Sequence, residues 1–195
     1  MPARLRPLLT LLALALVLVA WIFTLWPTAA RAGEREAVIL GRAFAYDYNL
    51  KSRAGGALVL GVVFNPQDSN SQSAADAWFE SFKALAGVKI QGLPLKVIRV
   101  PFSGAAALHA SVQNQGIDIL FVCDGLESSL SAINGLSHAE KVLTVAATEP
   151  MVEQGLALGV FANSGKVEIV VNLPAAGLEG VSFSSDLLRL ARIIR

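Results

Sequence analysis

At 195 residues, with 16 basic and 15 acidic side chains, the chain is long enough for one folded domain and is nearly neutral. It has no run or stripe of Lys and Arg, which excludes the clustered cations a nucleic-acid binder uses to neutralise phosphates. Cys123 is the only cysteine, so no intramolecular disulfide can form.

Arg4 and Arg6 open the chain, and Leu8 to Trp26 follow without a charge. Pro27-Thr28-Ala29-Ala30-Arg31-Ala32-Gly33 then supplies a small-x-small pair, Ala30 and Ala32. A basic start, an apolar middle and a small-residue end are the parts of a secretory signal peptide. Residues 1–32 are therefore predicted to be a leader cleaved after Ala32. The apolar run is close to the roughly 20 residues that span a bilayer, so an uncleaved anchor is the alternative. Both readings place a single domain, residues 33–195, outside the cytoplasm. Without Arg4, Arg6 and Arg31 that domain has 13 basic and 15 acidic residues, a net of −2.

Glu36 to Ala54 reads as a helix, with Val38, Ile39, Phe44, Ala45 and Tyr48 on its apolar side and Arg35, Arg42 and Asp47 polar. Leu58 to Phe64 is an apolar run of strand length between Gly55-Gly56 and Asn65-Pro66. Asp68-Ser69-Asn70-Ser71 offers N-caps to a helix from Ala74 to Leu85, whose stripe holds Ala75, Trp78, Phe79 and Phe82 and which Gly87 ends. The predicted elements continue as a strand at 95–100, a helix at 104–113, a strand at 118–123 and a helix at 126–134. Strand and helix alternating at this rhythm mark βαβ units and a mainly parallel sheet covered on both faces.

Val142 to Val145 is the fourth strand. Thr148, Glu149 and Pro150 suit a helix start, and Gly155 stops that helix. Two strands, 156–162 and 167–173, flank Asn163-Ser164-Gly165-Lys166, which is hairpin chemistry. A serine cap, Asp186 and recurring Leu and Ile predict a last helix from Phe183 to Ile194, with Leu187, Leu190 and Ile194 on its apolar stripe. The fold class is therefore α/β: three layers, a mainly parallel sheet flanked by helices, with a C-terminal antiparallel hairpin and a closing helix.

Leu143-Thr144-Val145, a short helix ending at Gly155, a hairpin closing on Asn172-Leu173, and Ser184-Ser185-x-Leu187-Leu188-x-Leu190-Ala191 stand here in an order that resembles the C-terminal half of the YfiR/HmsC-like family. The positions carrying the resemblance include Thr144, Gly155, Asn172, Ser185, Leu187, Leu188 and Leu190. The N-terminal half departs from the family pattern, because Phe44, Tyr46 and Tyr48 are present but a Trp-Pro is not. The resemblance implies a non-enzymatic periplasmic regulator. Its partner would be an inner-membrane sensor protein, a diguanylate cyclase or a histidine kinase, whose repression lowers cyclic di-GMP and biofilm formation. A homodimer is also implied. Family members carry paired cysteines, and the lone Cys123 departs from that.

Catalytic templates find little purchase. A nucleophile needs a base within hydrogen-bond reach, and only His109, on a helix, and His138, in a predicted polar loop, are available. No Cys or His spacing fits a metal, no Gly-x-Gly-x-x-Gly follows the first strand, and no cofactor is expected. One ligand argument remains. The carboxyl ends of parallel strands are where open α/β sheets bind. There stand Asn65, Asp68 and Ser69, then Ser103, then Asp124, then Thr148. They define either a small polar-ligand site, as in half of a substrate-binding protein, or ordinary turn and cap chemistry.

Overall fold

The computed structural model describes residues 32–163 and 166–195. The expected leader, up to Arg31, and the hairpin's Ser164 and Gly165 lie outside the described residues. In chain order the elements are α1 (Ala32–Phe44), α2 (Leu50–Arg53), β1 (Leu58–Phe64), α3 (Ser69–Lys83), β2 (Lys89–Ile90), β3 (Leu93–Pro101), α4 (Ala105–Gln115) and β4 (Ile119–Val122). A 3-10 turn (Glu127–Ser129) leads into α5 (Leu130–Glu140), β5 (Leu143–Ala146), α6 (Glu149–Glu153), β6 (Leu158–Asn163), β7 (Lys166–Asn172), α7 (Leu173–Leu178), α8 (Ser185–Leu190) and β8 (Ala191–Ile194).

The eight strands form one sheet in the order β2-β3-β1-β4-β5-β6-β7-β8. Strands β3, β1, β4, β5 and β6 run parallel, β6 and β7 make the antiparallel hairpin, and β8 lies parallel to β7. Strands β1, β4 and β5 are buried at every position, because helices cover both faces of the sheet. On one face α1, α3, α7 and α8 close over Leu58, Leu60, Phe121 and Val145. On the other, α4, α5 and α6 close over Val63, Leu120, Val122 and Ala146. The expected three-layer α/β architecture is thus present.

Trp78 and Phe82 of α3 pack against Phe121 of β4, tilted and edge-on, with ring centroids 4.4 and 5.2 Å from it, so the aromatic stripe is core rather than a free patch. The helix at β1–β3 lies on one face and the next crossovers on the other. The winding therefore reverses between β1 and β4, which makes their carboxyl ends the topological switch point.

Several elements differ from expectation: β2 and α7 are not among the predicted elements, and α5 covers Leu130–Glu140 where the sequence predicts a helix at 126–134. The helix predicted over 36–54 stops at Phe44; a turn follows, and α2 is only four residues long. Tyr48, expected on the apolar side, is 71% exposed, while Asp47, expected on the polar side, is fully buried. The closing helix is also shorter than predicted. It ends at Leu190, and Ala191–Ile194 becomes the edge strand β8. A β-branched pair, Ile193-Ile194, is at home on a pleated edge and lets β7 gain a hydrogen-bonded neighbour. Leu190 consequently leaves the stripe and is 72% exposed, whereas Leu187 is buried.

Candidate functional site

The switch point gathers the first group of predicted residues. Phe102 donates its N–H to the Phe64 carbonyl, and Ala147 donates to that of Val122, so the ends of β3, β1, β4 and β5 share one rim. Asn65 donates through Nδ2 to the carbonyl of Gly125 at 3.2 Å. The buried Ser71 hydroxyl donates to the Asp124 carbonyl at 2.5 Å and accepts the Asn65 N–H at 3.0 Å. Asp68 caps α3 by accepting the Asn70 N–H at 2.9 Å. Gly125 has φ +82°, and a Cβ there would stand 2.6 Å from Asp68 Oδ2, so only glycine lets the two loops approach this closely.

Asn65, Asp68 and Asp124 are therefore brought to one rim, where Asn65 bonds to the Gly125 carbonyl and the Gln67 N–H, Asp68 caps α3, and Asp124 offers its backbone carbonyl to Ser71. Asp124 is exposed at this rim as a whole residue, yet the neighbouring protein desolvates its carboxyl and, with Glu127 beside it, pushes it above the ordinary range. Ser69 and Ser103 are exposed and make no side-chain bond across the rim, and Thr148 occupies the cap position of α6 without a side-chain cap bond. Ser71, expected as one of several possible N-caps, lies inside α3, and its bond to the Asp124 carbonyl depends on the spatial meeting with the β4 end.

Cys123 ends β4 facing the α1/α3 layer, while His109 rides on α4, on the opposite face of the sheet. No nucleophile–base pair can form between them. Burial, with Asp124 adjacent, pushes the Cys123 thiol up to about 12, so it stays protonated. A thiol reagent at neutral pH is expected to leave Cys123 unmodified in the native protein and to label it fully in 6 M guanidinium. Rapid native labelling would contradict this burial. His109 instead pairs with Glu140 at 2.9 Å on the surface. His138 is not in a loop but on α5, and its Nε2 is buried without a partner; burial and then Lys141 lower its pKa. Among the described residues no group of three His, Cys, Asp or Glu could hold a metal.

The opposite, amino edge of the sheet holds a polar network that sequence reading missed. Asp47, fully buried, pairs with Arg53 at 2.5 Å and accepts N–H groups from Asn49 and Ser182, both at 3.0 Å. Arg53 also donates to the Lys141 carbonyl, and Lys141 Nζ donates to that of Leu178. Beneath them, Glu179 is fully buried between α5 and β5. Its Oε1 accepts from Thr144 Oγ1 at 2.6 Å and Ser137 Oγ at 3.0 Å, and its Oε2 accepts the Thr144 N–H at 2.8 Å. Burial raises its pKa to about 7, against the hydrogen bonds of Thr144 and Ser137 and the charge of Arg53. A groove of about 570 Å³ opens beside this network, lined by Arg53, Lys96 and Lys141 but also by Asp118 and Glu140. The carbonyl ends of α4 and α5 face it too, so it is not an anion pocket.

A model of the YfiR/HmsC-like family matches residues 12–192. The chain belongs to that family. Membership supports a periplasmic regulator in general terms, of a regulatory rather than catalytic kind. No protein of curated function matches the chain. Solved structures share the fold at low identity. One is the ABC domain in complex with L-Trp from Streptococcus pneumoniae, at TM-score 0.59 and 13% identity, covering 84% of this chain and 60% of its own. A conserved domain protein from Vibrio cholerae gives 0.58 and 15%, with the same coverages. The ligand-free, open form of a substrate-binding protein with adhesive properties from Clostridium difficile gives 0.51 and 17%, covering 75% and 57%. This chain thus spans about 60% of the length of those proteins.

The positions that carry the YfiR/HmsC-like resemblance serve mainly as fasteners in this structure. Thr144 ties β5 to Glu179 and to the Ala157 N–H. Gly155, at φ +110°, lets Asn134 pack so close that a Cβ would stand 2.6 Å from its Nδ2. Asn172 donates to the Val152 carbonyl and caps α7 through the Ala175 N–H. Ser184 rather than Ser185 caps α8; Ser185 is exposed and Leu188 half-buried. Among the described residues no helix is long and apolar enough to cross a membrane.

Proposed function

We propose that this chain is a periplasmic regulatory protein that binds and represses an inner-membrane signalling protein of diguanylate-cyclase type, and so restrains cyclic di-GMP synthesis and biofilm formation. A sensor histidine kinase is the related partner. Family membership supports the regulatory role. The observation that supports a protein partner is at the switch point: where folds of this kind take small ligands, Asn65, Ser71 and the Gly125 loop are hydrogen-bonded to one another. On this reading recognition falls to the outer surface. The test is deletion of the gene in its host. Cellular cyclic di-GMP should rise and return on complementation, and cross-linking in intact envelopes should recover one signalling protein. Unchanged cyclic di-GMP with no such protein recovered would count against the reading.

A second reading, a small-molecule-binding module, draws on the exposed Ser69 and Ser103 at the same rim. It predicts a thermal shift with an amino acid, nucleotide or sugar. A ligand at a hundredfold excess over Kd stabilises by about 2.7 kcal/mol, or roughly 5–10 °C for a domain of this size.

A further inference from the structure

Of the six large apolar or aromatic side chains exposed among the described residues, Tyr46, Tyr48 (71% exposed) and Leu178 stand on two segments, 46–49 and 178–184, that hydrogen bonds join into one corner. The backbone there is held unusually firmly. Tyr48 N–H donates to the Ser182 carbonyl and Ser184 N–H to that of Tyr46, both at 2.9 Å, so residues 46–48 run antiparallel to 182–184. Asp47 stands alone as a bridge to Phe183 between two turns. Its side chain is buried onto Arg53, and the two tyrosines face out. Gln91 grips the segment from the β2–β3 turn, donating to the carbonyls of Ala45 and Asp47 at 3.0 and 2.7 Å. Asn49 Nδ2 donates to the Gly180 carbonyl at 2.9 Å, which fixes the side nearest Leu178.

The exposed charge near this corner is mainly basic. Arg42 and Lys51 flank the tyrosines along the chain, and Lys141 bonds to the Leu178 carbonyl; all three side chains are exposed. The only acids in residues 42–53 and 178–184, Asp47 and Glu179, are fully buried. Just beyond this window the exposed Asp186 pairs with Arg189, so exposed basic side chains outnumber acidic ones beside an aromatic and aliphatic centre, on a domain whose net charge is negative. Rigid tyrosines lose little conformational entropy on contact and are common energetic anchors of interfaces. The exposed basic side chains select for acidic groups at the edge of the facing surface.

We propose that the Tyr46–Tyr48–Leu178 corner is the docking face for the signalling partner, and that the partner's matching surface is apolar at its centre and acidic at its edge. This assignment rests on the regulatory reading above.

The experiment is photo-crosslinking in intact cells, with p-benzoylphenylalanine placed in the full chain at position 46, 48 or 178, and at the exposed control positions 67 and 131. Adducts to an inner-membrane signalling protein are expected from the corner and not from the controls. Tyr48→Ala should weaken co-purification of that protein by about 30-fold, the equivalent of a 2 kcal/mol hot spot. Arg42→Glu with Lys51→Glu should lower the adduct yield about tenfold, while circular dichroism and Tm stay those of the wild type. Adducts chiefly from position 67 or 131 would overturn the corner and leave the regulatory reading intact. A second copy of the chain, or lipid alone, captured at position 48 would overturn the assigned occupant. A signalling protein that co-purifies with the unmodified chain yet cross-links from no corner position would also overturn it. Failure of both co-purification and cross-linking would remove the regulatory reading itself.

Discussion

Replacing Asp47 with alanine is expected to destabilise the domain by about 3–5 kcal/mol, the cost of breaking a buried pair from one side, and so to lower Tm by roughly 10–15 °C. The reason is local and additive in kind. Arg53, whose side chain is 11% exposed, would lose its carboxylate at 2.5 Å and remain a poorly hydrated cation. The N–H groups of Asn49 and Ser182 would lose their shared acceptor. The same atoms join the end of α1 to the segment before α8, so the loss leaves residues 46–48 tied to 182–184 by the two backbone bonds of Tyr48 and Ser184 without the Asp47 side chain. A double variant, Asp47→Ala with Arg53→Met, removes the stranded charge and should recover a good part of the loss. Urea unfolding of the three proteins measures this directly. If Asp47→Ala alone costs under about 1 kcal/mol, the pair behaves as an exposed salt bridge, and the burial argument is wrong.

Asp47 also shows where the sequence stops speaking. Apolar periodicity made the strands and most helices legible: β1, β4 and β5 are short apolar runs between turn residues, and α3 and α5 show helical spacing. It also made the rhythm of crossovers legible, and from that the three layers. The same periodicity carried the first helix too far. Ala45-Tyr46-Asp47-Tyr48 continues a helical pattern with no Gly or Pro to stop it, and what ends α1 at Phe44 is tertiary: the ladder to Ser182 and Ser184 and the clamp from Gln91. Nothing within a window of ten residues contains those partners. The last helix failed in the same way. Its Leu and Ile spacing fits a helix, but Ile193 and Ile194 pair with Val171 and Asn172 on a strand edge. The rim at the switch point was read correctly as a group of residues. What fastens that rim, the Ser71 hydroxyl on the Asp124 carbonyl, is a meeting of residues 53 apart in sequence that no local pattern contains.

Glu179 gives the second large effect, and it is one of pH. The carboxyl has three hydrogen-bond donors, from Thr144 Oγ1, Thr144 N–H and Ser137 Oγ, yet is fully withdrawn from water. Withdrawal dominates, and the pKa is about 7 against 4.5 for the ordinary side chain. The geometry accommodates both protonation states. Ser137 Oγ lies 3.0 Å from Glu179 Oε1 and 3.1 Å from the Asn134 carbonyl. Its one proton can therefore serve the carboxylate, or turn to Asn134 and let a protonated Glu179 donate to Ser137. Arg53 and Lys141 lie on the solvent side of this network, Arg53 paired to Asp47. His138 belongs to the next turn of α5, and Asp118, itself raised by burial, accepts the Val59 N–H at 2.8 Å on the neighbouring strand.

Because the folded pKa is raised, the folded protein holds a proton that the unfolded chain releases near pH 4.5. The stability this contributes is complete below that pH and is lost as pH rises through about 7, to a total on the order of 3 kcal/mol. Glu179→Gln keeps the shape and cannot ionise. Its carbonyl can take the Thr144 N–H, and its amide can donate to the two hydroxyls. The variant should match the wild type within about 1 kcal/mol at pH 5 and exceed it at pH 8. Glu179→Ala should be weaker at both, since it leaves the Thr144 N–H and a cavity behind. Subtracting the Gln variant's pH profile from that of the wild type cancels His138, Asp118 and every other titrating group, so the difference reports Glu179 alone. A difference that stays flat from pH 4.5 to 8 would mean that the carboxylate is fully stabilised by its three donors and that burial does not govern it.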